Sequence, residues 1–154
     1  MKEEVKSINE KDLDKLKEVI DSCGLFPSIY LDNMIADYMD NPNSSELWYG
    51  YHVNDELVGF IYCVPEEFTV NTYNLLAIGV EVNHQRKGIA KNMLSFIEKE
   101  LKKRNARILI IDTSSDNAQQ AARFFYEKMG YTKEAIIKEF WNEKEDKIIY
   151  LKKL

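Results

Sequence analysis

The run Leu75-Leu76-Ala77-Ile78-Gly79-Val80 is apolar and stops at polar residues, and the helical pattern Ile89, Met93, Leu94, Ile97 and Leu101 follows it. A second apolar run, Ile108-Leu109-Ile110-Ile111, flanked by Arg107 and Asp112, comes directly after that helix. Strand, helix and strand in this order make a crossover, so the two strands lie parallel and the connection is right-handed. Parallel strands are covered by helices, which limits the chain to a sheet with helices on its faces. The link between the first strand and the helix reads Glu81-Val82-Asn83-His84-Gln85-Arg86-Lys87-Gly88. A helix start offers backbone N–H groups with no internal partner, and the aligned peptide dipoles place roughly half a positive charge there. Gly88 lacks a Cβ and lets a ligand approach the main chain, while Arg86 and Lys87 add positive charge. The combination suits a phosphate or pyrophosphate. Taken alone, it is also the pattern of an ordinary strand-to-helix turn.

The rest of the chain reads as one domain over residues 1–154, without linker, repeat or low-complexity segment. Asn9 is an N-cap for a helix over 10–22, whose stripe is Leu13, Leu16, Val19, Ile20 and Cys23 and which Gly24 ends. A second helix begins after Phe26-Pro27-Ser28 and breaks at Asn41-Pro42-Asn43. Strands are expected over 46–53 and 56–64, joined by the turn Asn54-Asp55, and over 70–82. The crossover helix is expected over 87–104 and its partner strand over 107–112. Thr113-Ser114-Ser115-Asp116 caps a helix that runs to Met129 and closes at Gly130. Strands over 131–140 and 147–152 complete the order ααβββαβαββ. The fold class is α/β (α+β), with one mixed sheet of six to seven strands flanked by four helices.

Composition excludes several functions. The net charge of −5 argues against a nucleic-acid partner. No apolar run approaches the ~20 residues that span a bilayer, so no membrane partner is expected. The N-terminus lacks the apolar stretch of a secretory signal, and Cys23 and Cys63 lack metal-type spacing, so a reducing cytoplasm is expected. With only His52 and His84, a histidine-rich metal site is not available, and no metal is expected.

Two segments carry a family resemblance. Gln85-Arg86-Lys87-Gly88-Ile89-Ala90 resembles the acyl-CoA loop of the GNAT N-acetyltransferase superfamily, which reads Gln/Arg-x-x-Gly-x-Gly/Ala. The segment from Ala122 through Tyr126 and Gly130 to Tyr131 resembles the family's Ala-x-x-x-Tyr-x-x-x-Gly-Phe/Tyr signature. The likeness covers about residue 7 to residue 154, and is nearest to small bacterial members with a Thr72-Tyr73-Asn74 strand, a Thr113-Ser114-Ser115 turn and an Asp146-Lys147-Ile148-Ile149-Tyr150 strand. It implies the GNAT fold, acetyl-CoA as co-substrate and transfer of the acetyl group to an amine.

The resemblance also implies roles. The main chain of Arg86, Lys87, Gly88, Ile89 and Ala90, with Gln85, would hold the pyrophosphate. Val80 and Val82 match the strand that pairs with the pantetheine arm, near a bulge for which Gly79 is a candidate, unless it is a glycine chosen for packing. The family's helix-start asparagine falls on Gln119, with Asn117 nearby to take over its contact. Tyr126 is the candidate general acid for the departing thiolate; without the signature it would be read as a core aromatic. The general base is left between Glu81, at the end of the central strand and more readily a solvated carboxylate, Asp112, at the carboxyl edge of an apolar strand or else a cap of the Thr113-Ser114-Ser115 turn, and a water chain. Phe26, Tyr30 and Tyr73 are candidates for the acceptor pocket, or plain packing. The acceptor expected is a small-molecule amine, with a protein or peptide amine, or a non-catalytic acyl-CoA sensor, as alternatives. A homodimer through the C-terminal hairpin stays open, because edge strands invite partners, while its charged turn argues the other way.

Overall fold

A computed structural model describes all 154 residues, Met1–Leu154. The elements are β1 (Glu3–Ser7), α1 (Leu13–Cys23), α2 (Leu31–Asp40), β2 (Leu47–Val53), β3 (Glu56–Pro65), β4 (Thr72–Val80), α3 (Ile89–Lys103), β5 (Ile108–Ser114), α4 (Gln120–Lys128), β6 (Thr132–Asn142) and β7 (Glu145–Lys153). The seven strands form one mixed sheet in the order β1-β2-β3-β4-β5-β7-β6. β1 corrects the expected order. It pairs antiparallel with β2 from Glu3↔Val53 to Ser7↔Tyr49, yet Glu3, Glu4 and Lys6 hide it from any hydrophobic pattern. Charged residues of this kind suit an edge strand.

Two compact units divide the chain: Met1–Val64 with Leu76–Glu100, and Pro65–Leu75 with Leu101–Leu154. In the first, Leu16, Val19 and Ile20 of α1 and Leu31 and Ile35 of α2 bury against Trp48, Leu57, Phe60 and Tyr62. The start of α1 follows the expected chemistry: Asn9 Oδ1 accepts the Lys11 N–H at 2.9 Å, and Asp12 Oδ2 accepts the Asn9 N–H at 3.0 Å. The paired caps close a 3-10 turn, Glu10–Asp12, that leads into the helix. Gly24 ends α1 in the left-handed region at φ +66°. α3 covers the other face of β3, where a Cβ on Gly59 would lie 3.1 Å from Met93 and 3.4 Å from Ile89. Gly79 is a packing glycine, since a Cβ there would meet Leu25, Cys23 and Phe60 at 2.8–2.9 Å.

In the second unit, β4 runs parallel to β5 from Thr72↔Ile108 to Leu75↔Ile111, and β5 pairs antiparallel with β7 from Ile108↔Lys153 to Ser114↔Lys147. Leu109, Ile111, Ile148 and Tyr150 are buried on the face that receives Tyr126 of α4. Alternation then sends Ile110, Asp112 and Ser114 to the opposite face. The expected helix cap at 113–116 is corrected here, because Thr113 and Ser114 complete β5. A 3-10 turn, Asn117–Gln119, opens α4 instead. β6 is the sheet edge, and its register with β7 shifts twice, after Lys133 and after Ile137. Such shifts blunt an edge against pairing with another chain.

Candidate active site

The loop before α3 has an unusual backbone. Arg86 lies at φ +62° and Gly88 at φ +81°, with Lys87 between them at negative φ. The alternation of sign turns successive N–H groups toward one side, as in an anion-binding nest. The intrahelical ladder begins with the Asn92 N–H donating to the Gly88 carbonyl at 3.0 Å. The N–H groups of Gly88, Ile89, Ala90 and Lys91 therefore precede the ladder. Nothing lies within 4 Å of where a Cβ on Gly88 would be, so main chain is open to an approaching group there. Arg86, Lys87 and Gly88 are exposed, while Ile89 is buried and anchors the helix start in the core. Gln85 braces the loop by donating its side-chain amide to the Val80 carbonyl at 3.0 Å.

β4 ends at Val80, short of the expected strand end at 82. Val82 belongs to a 3-10 turn, Val82–His84, and its N–H donates to Ser22 Oγ at 3.0 Å. That bond occupies the group expected to pair with pantetheine. Glu81 is also engaged. Its N–H donates to the Val58 carbonyl at 2.8 Å, and its carboxylate lies 3.6 Å from Lys15 Nζ and 3.1 Å from His84 Nδ1. Lys15 is held above the ordinary lysine range, first by its hydrogen bond to Glu56 and then by Glu18 and the charge of Glu81. Glu81 thus serves an ion-paired cluster that ties α1 to the end of β4.

Tyr126 is 6% exposed and packs against Phe125, Tyr131 and Tyr150 at ring distances of 5.6, 6.4 and 5.9 Å. Burial alone pushes its phenol up to about 12. The hydroxyl therefore stays protonated at neutral pH. Full transfer to a thiolate of pKa ~8.5 would run uphill by ~3.5 units, or roughly 5 kcal/mol, so the group is suited to donate a hydrogen bond and keep its proton. The opening of α4 is organised by Arg123, which donates to the carbonyls of Ser114 and Asp116. Asn117 is exposed there and Gln119 is half-buried.

Asp112 faces away from Tyr126 and sits in a polar cluster on the other side of the sheet. Its Oδ2 accepts from Asn74 Nδ2 at 3.3 Å and lies 3.2 Å from Lys147 Nζ. Asn74 Nδ2 also donates to Glu66 Oε1 at 2.8 Å. Lys147 lies over the Phe140 ring at 4.3 Å and near the Trp141 ring at 5.8 Å, and Trp141 Nε1 donates to the Thr113 carbonyl at 3.2 Å. Asp112 Oδ1 is buried and has no partner. Of the two candidate carboxylates, Asp112 alone keeps an oxygen without a partner, at the carboxyl end of a strand.

That Glu66, Asn74, Lys147 and Phe140 gather around Asp112 was not legible in the sequence. One signal was available: Asn74 is a lone polar residue inside the apolar run from Tyr73 to Val80. The pocket candidates fare differently. Tyr73 and Phe26 are packing residues, the first buried and the second set against the α1–α2 core, while Tyr30 is exposed. No group of three or more His, Cys, Asp or Glu residues is placed to hold a metal ion. No helix is long and apolar enough to cross a membrane.

The model of the acetyltransferase (GNAT) family matches residues 13–131. No curated protein matches the chain. Among solved structures, one assigned to the GNAT family from Desulfovibrio desulfuricans superposes with a TM-score of 0.92 at 23% identity, covering 99% of both chains. The ribosomal-protein-S18-alanine N-acetyltransferase of Escherichia coli gives a TM-score of 0.81 at 21% identity, over 99% of this chain and 94% of that one. PaiA N-acetyltransferase of Thermoplasma acidophilum, solved with coenzyme A, gives 0.75 at 22% identity over 100% of both. At these identities the likeness establishes the shared fold.

Proposed function

The chain belongs to the GNAT family of acetyltransferases, and on that premise we propose that it transfers the acetyl group of acetyl-CoA to a primary amine of a small molecule. The observation that carries the proposal is the open main chain at Gly88, where four N–H groups precede the α3 ladder and no side chain intervenes. These donors, with the charges of Arg86 and Lys87, fit the diphosphate of coenzyme A. Acetyl-CoA, when bound, supplies an electrophilic acyl carbon and a thiolate leaving group.

The residues of the chain divide the remaining work. An alkyl ammonium must lose a proton before it can attack, at a cost of ~4–5 kcal/mol at pH 7. Asp112 Oδ1 is the unpaired acceptor for that proton, and Lys147 and Asn74 hold the other oxygen in place. From the opposite face of β5 to Asp112, the Tyr126 hydroxyl donates a hydrogen bond to the sulfur as negative charge develops on it, so in this reading the amine and the thioester reach the acyl carbon from opposite sides of the strand. Gln85 and buried Ile89 keep the diphosphate loop rigid, so its donors are pre-arranged.

Release of free thiol from acetyl-CoA, followed against a panel of alkyl amines, polyamines, amino acids and N-terminally free peptides, tests the function. Turnover with a small amine is expected. Turnover with peptides alone would replace the small-molecule acceptor by a protein one. Coenzyme binding without thiol release for any amine would leave a sensor.

A further inference from the structure

Asn74 is the one polar side chain in the buried stretch from Tyr73 to Leu75, and it is 4% exposed. Its amide bridges two carboxylates, with Nδ2 donating to Glu66 Oε1 at 2.8 Å and to Asp112 Oδ2 at 3.3 Å. A flipped amide would aim its oxygen at both carboxylates, so the chemistry of the neighbours sets the orientation. Oδ1 of Asn74 is left buried and without a partner, and so is Oδ1 of Asp112, one hydrogen bond away. A buried acceptor left unpaired bears its desolvation penalty uncompensated. Lys147 does not fill either one, because its ammonium is spent on Asp112 Oδ2 and on the Phe140 ring at 4.3 Å. The cluster therefore offers two buried acceptors that none of its own donors satisfies. Glu66 and Asp112 against Lys147 leave it one uncompensated negative charge.

A primary ammonium matches both properties, with a single positive charge and three N–H donors. A carboxylate on the neighbouring carbon does not match, since it would be brought up against Glu66 and Asp112. We propose that Asn74 Oδ1 and Asp112 Oδ1 together seat the ammonium of the acceptor, and that the seat selects amines whose nitrogen-bearing carbon carries no carboxylate. The assignment rests on Asp112 being the residue that meets the amine in the acetyl transfer proposed above. Asn74 has two tasks in this arrangement: it fixes Asp112 through Nδ2 and contacts the acceptor through Oδ1.

Titration of the full chain, read at the side-chain amide resonances of Asn74 by nuclear magnetic resonance, tests the seat without acetyl-CoA and without turnover. Methylammonium chloride should shift these resonances saturably. Tetramethylammonium chloride, of equal charge but without N–H donors, should not shift them at the same concentrations. Glycine, which carries the excluded carboxylate, should bind at least tenfold more weakly than methylammonium. Asp112→Asn should weaken methylammonium binding at least tenfold in a protein that still melts cooperatively. Absence of a saturable methylammonium shift would overturn the proposal and leave the two oxygens to buried water. Equal shifts from tetramethylammonium would reduce the seat to plain charge attraction, and equal affinity for glycine would remove the selectivity. If methylammonium binds at Asn74 but no amine releases thiol, the seat stands and the acetyl-transfer reading fails.

Discussion

Alanine at Gly88 separates a ligand contact from backbone strain, because the chain contains a matched control. Gly88 and Gly24 both hold left-handed backbone, at φ +81° and +66°, and a Cβ at either would find nothing within 4 Å. Neither substitution creates a clash, so each should cost only the left-handed penalty of an L-residue, about 1–2 kcal/mol. For a chain of this size, 1 kcal/mol moves the melting temperature by roughly 2–4 °C. Both variants should therefore melt about 2–8 °C lower than the parent. Coenzyme A should tell them apart. At a concentration of 100 times its Kd, a ligand stabilises the native state by ~2.7 kcal/mol, and a tenfold loss of affinity leaves ~1.4 kcal/mol. A methyl group on the face offered to the diphosphate should produce at least that loss. In differential scanning fluorimetry, Gly88→Ala should lose half or more of the shift that coenzyme A gives the parent, and Gly24→Ala should keep it. Equal responses from the two variants, in either direction, would refute the placement of the diphosphate at this loop.

Three other outcomes follow from the site. Asp112→Asn should lower kcat by about 10²–10⁴, whereas Glu81→Gln should leave kcat within about threefold and act on melting temperature, through the Lys15 cluster. Tyr126→Phe should reduce kcat by about 10² while leaving the KM for acetyl-CoA near that of the parent, as expected when one donor to a developing charge is removed; an unchanged kcat would clear the hydroxyl of a role. The same variant has a stability signature. The Tyr126 phenol sits at about 12 in the fold against an ordinary value of about 10 when unfolded. Its contribution is present below pH 10 and is lost as pH rises toward 12, because the unfolded chain ionises first. At pH 11 the parent should have lost about 1.4 kcal/mol through this residue, and urea unfolding of Tyr126→Phe at pH 9 and pH 11 should show a smaller loss by that amount.

Local chemistry was legible wherever a few neighbouring residues decide it. Asn9, Gly24, Gly88 and Gly130 mark helix ends because capping and positive φ are properties of short segments. β1 was missed for the opposite reason: its pairing with β2 comes from a partner more than forty residues away, and its charged residues hide it from periodicity. The end of β4 was misplaced by the apolar Val82, which Ser22 captures from another element. The turn expected to cap the helix over 113–116 is shortened, because β7 extends β5 through Ser114 and only Asp116 keeps the N-cap position.

By itself the sequence determined the crossover, the class of sheet and the loop at Gly88, since alternation, helical spacing and an absent Cβ act over a few residues. Only the tertiary structure gave Asp112 and Glu81 different surroundings. The two carboxylates look alike along the chain, and only their folded neighbours distinguish them. Lys15 and His84 close around Glu81, whereas Asn74 and Lys147 restrain one oxygen of Asp112 and leave the other without a partner.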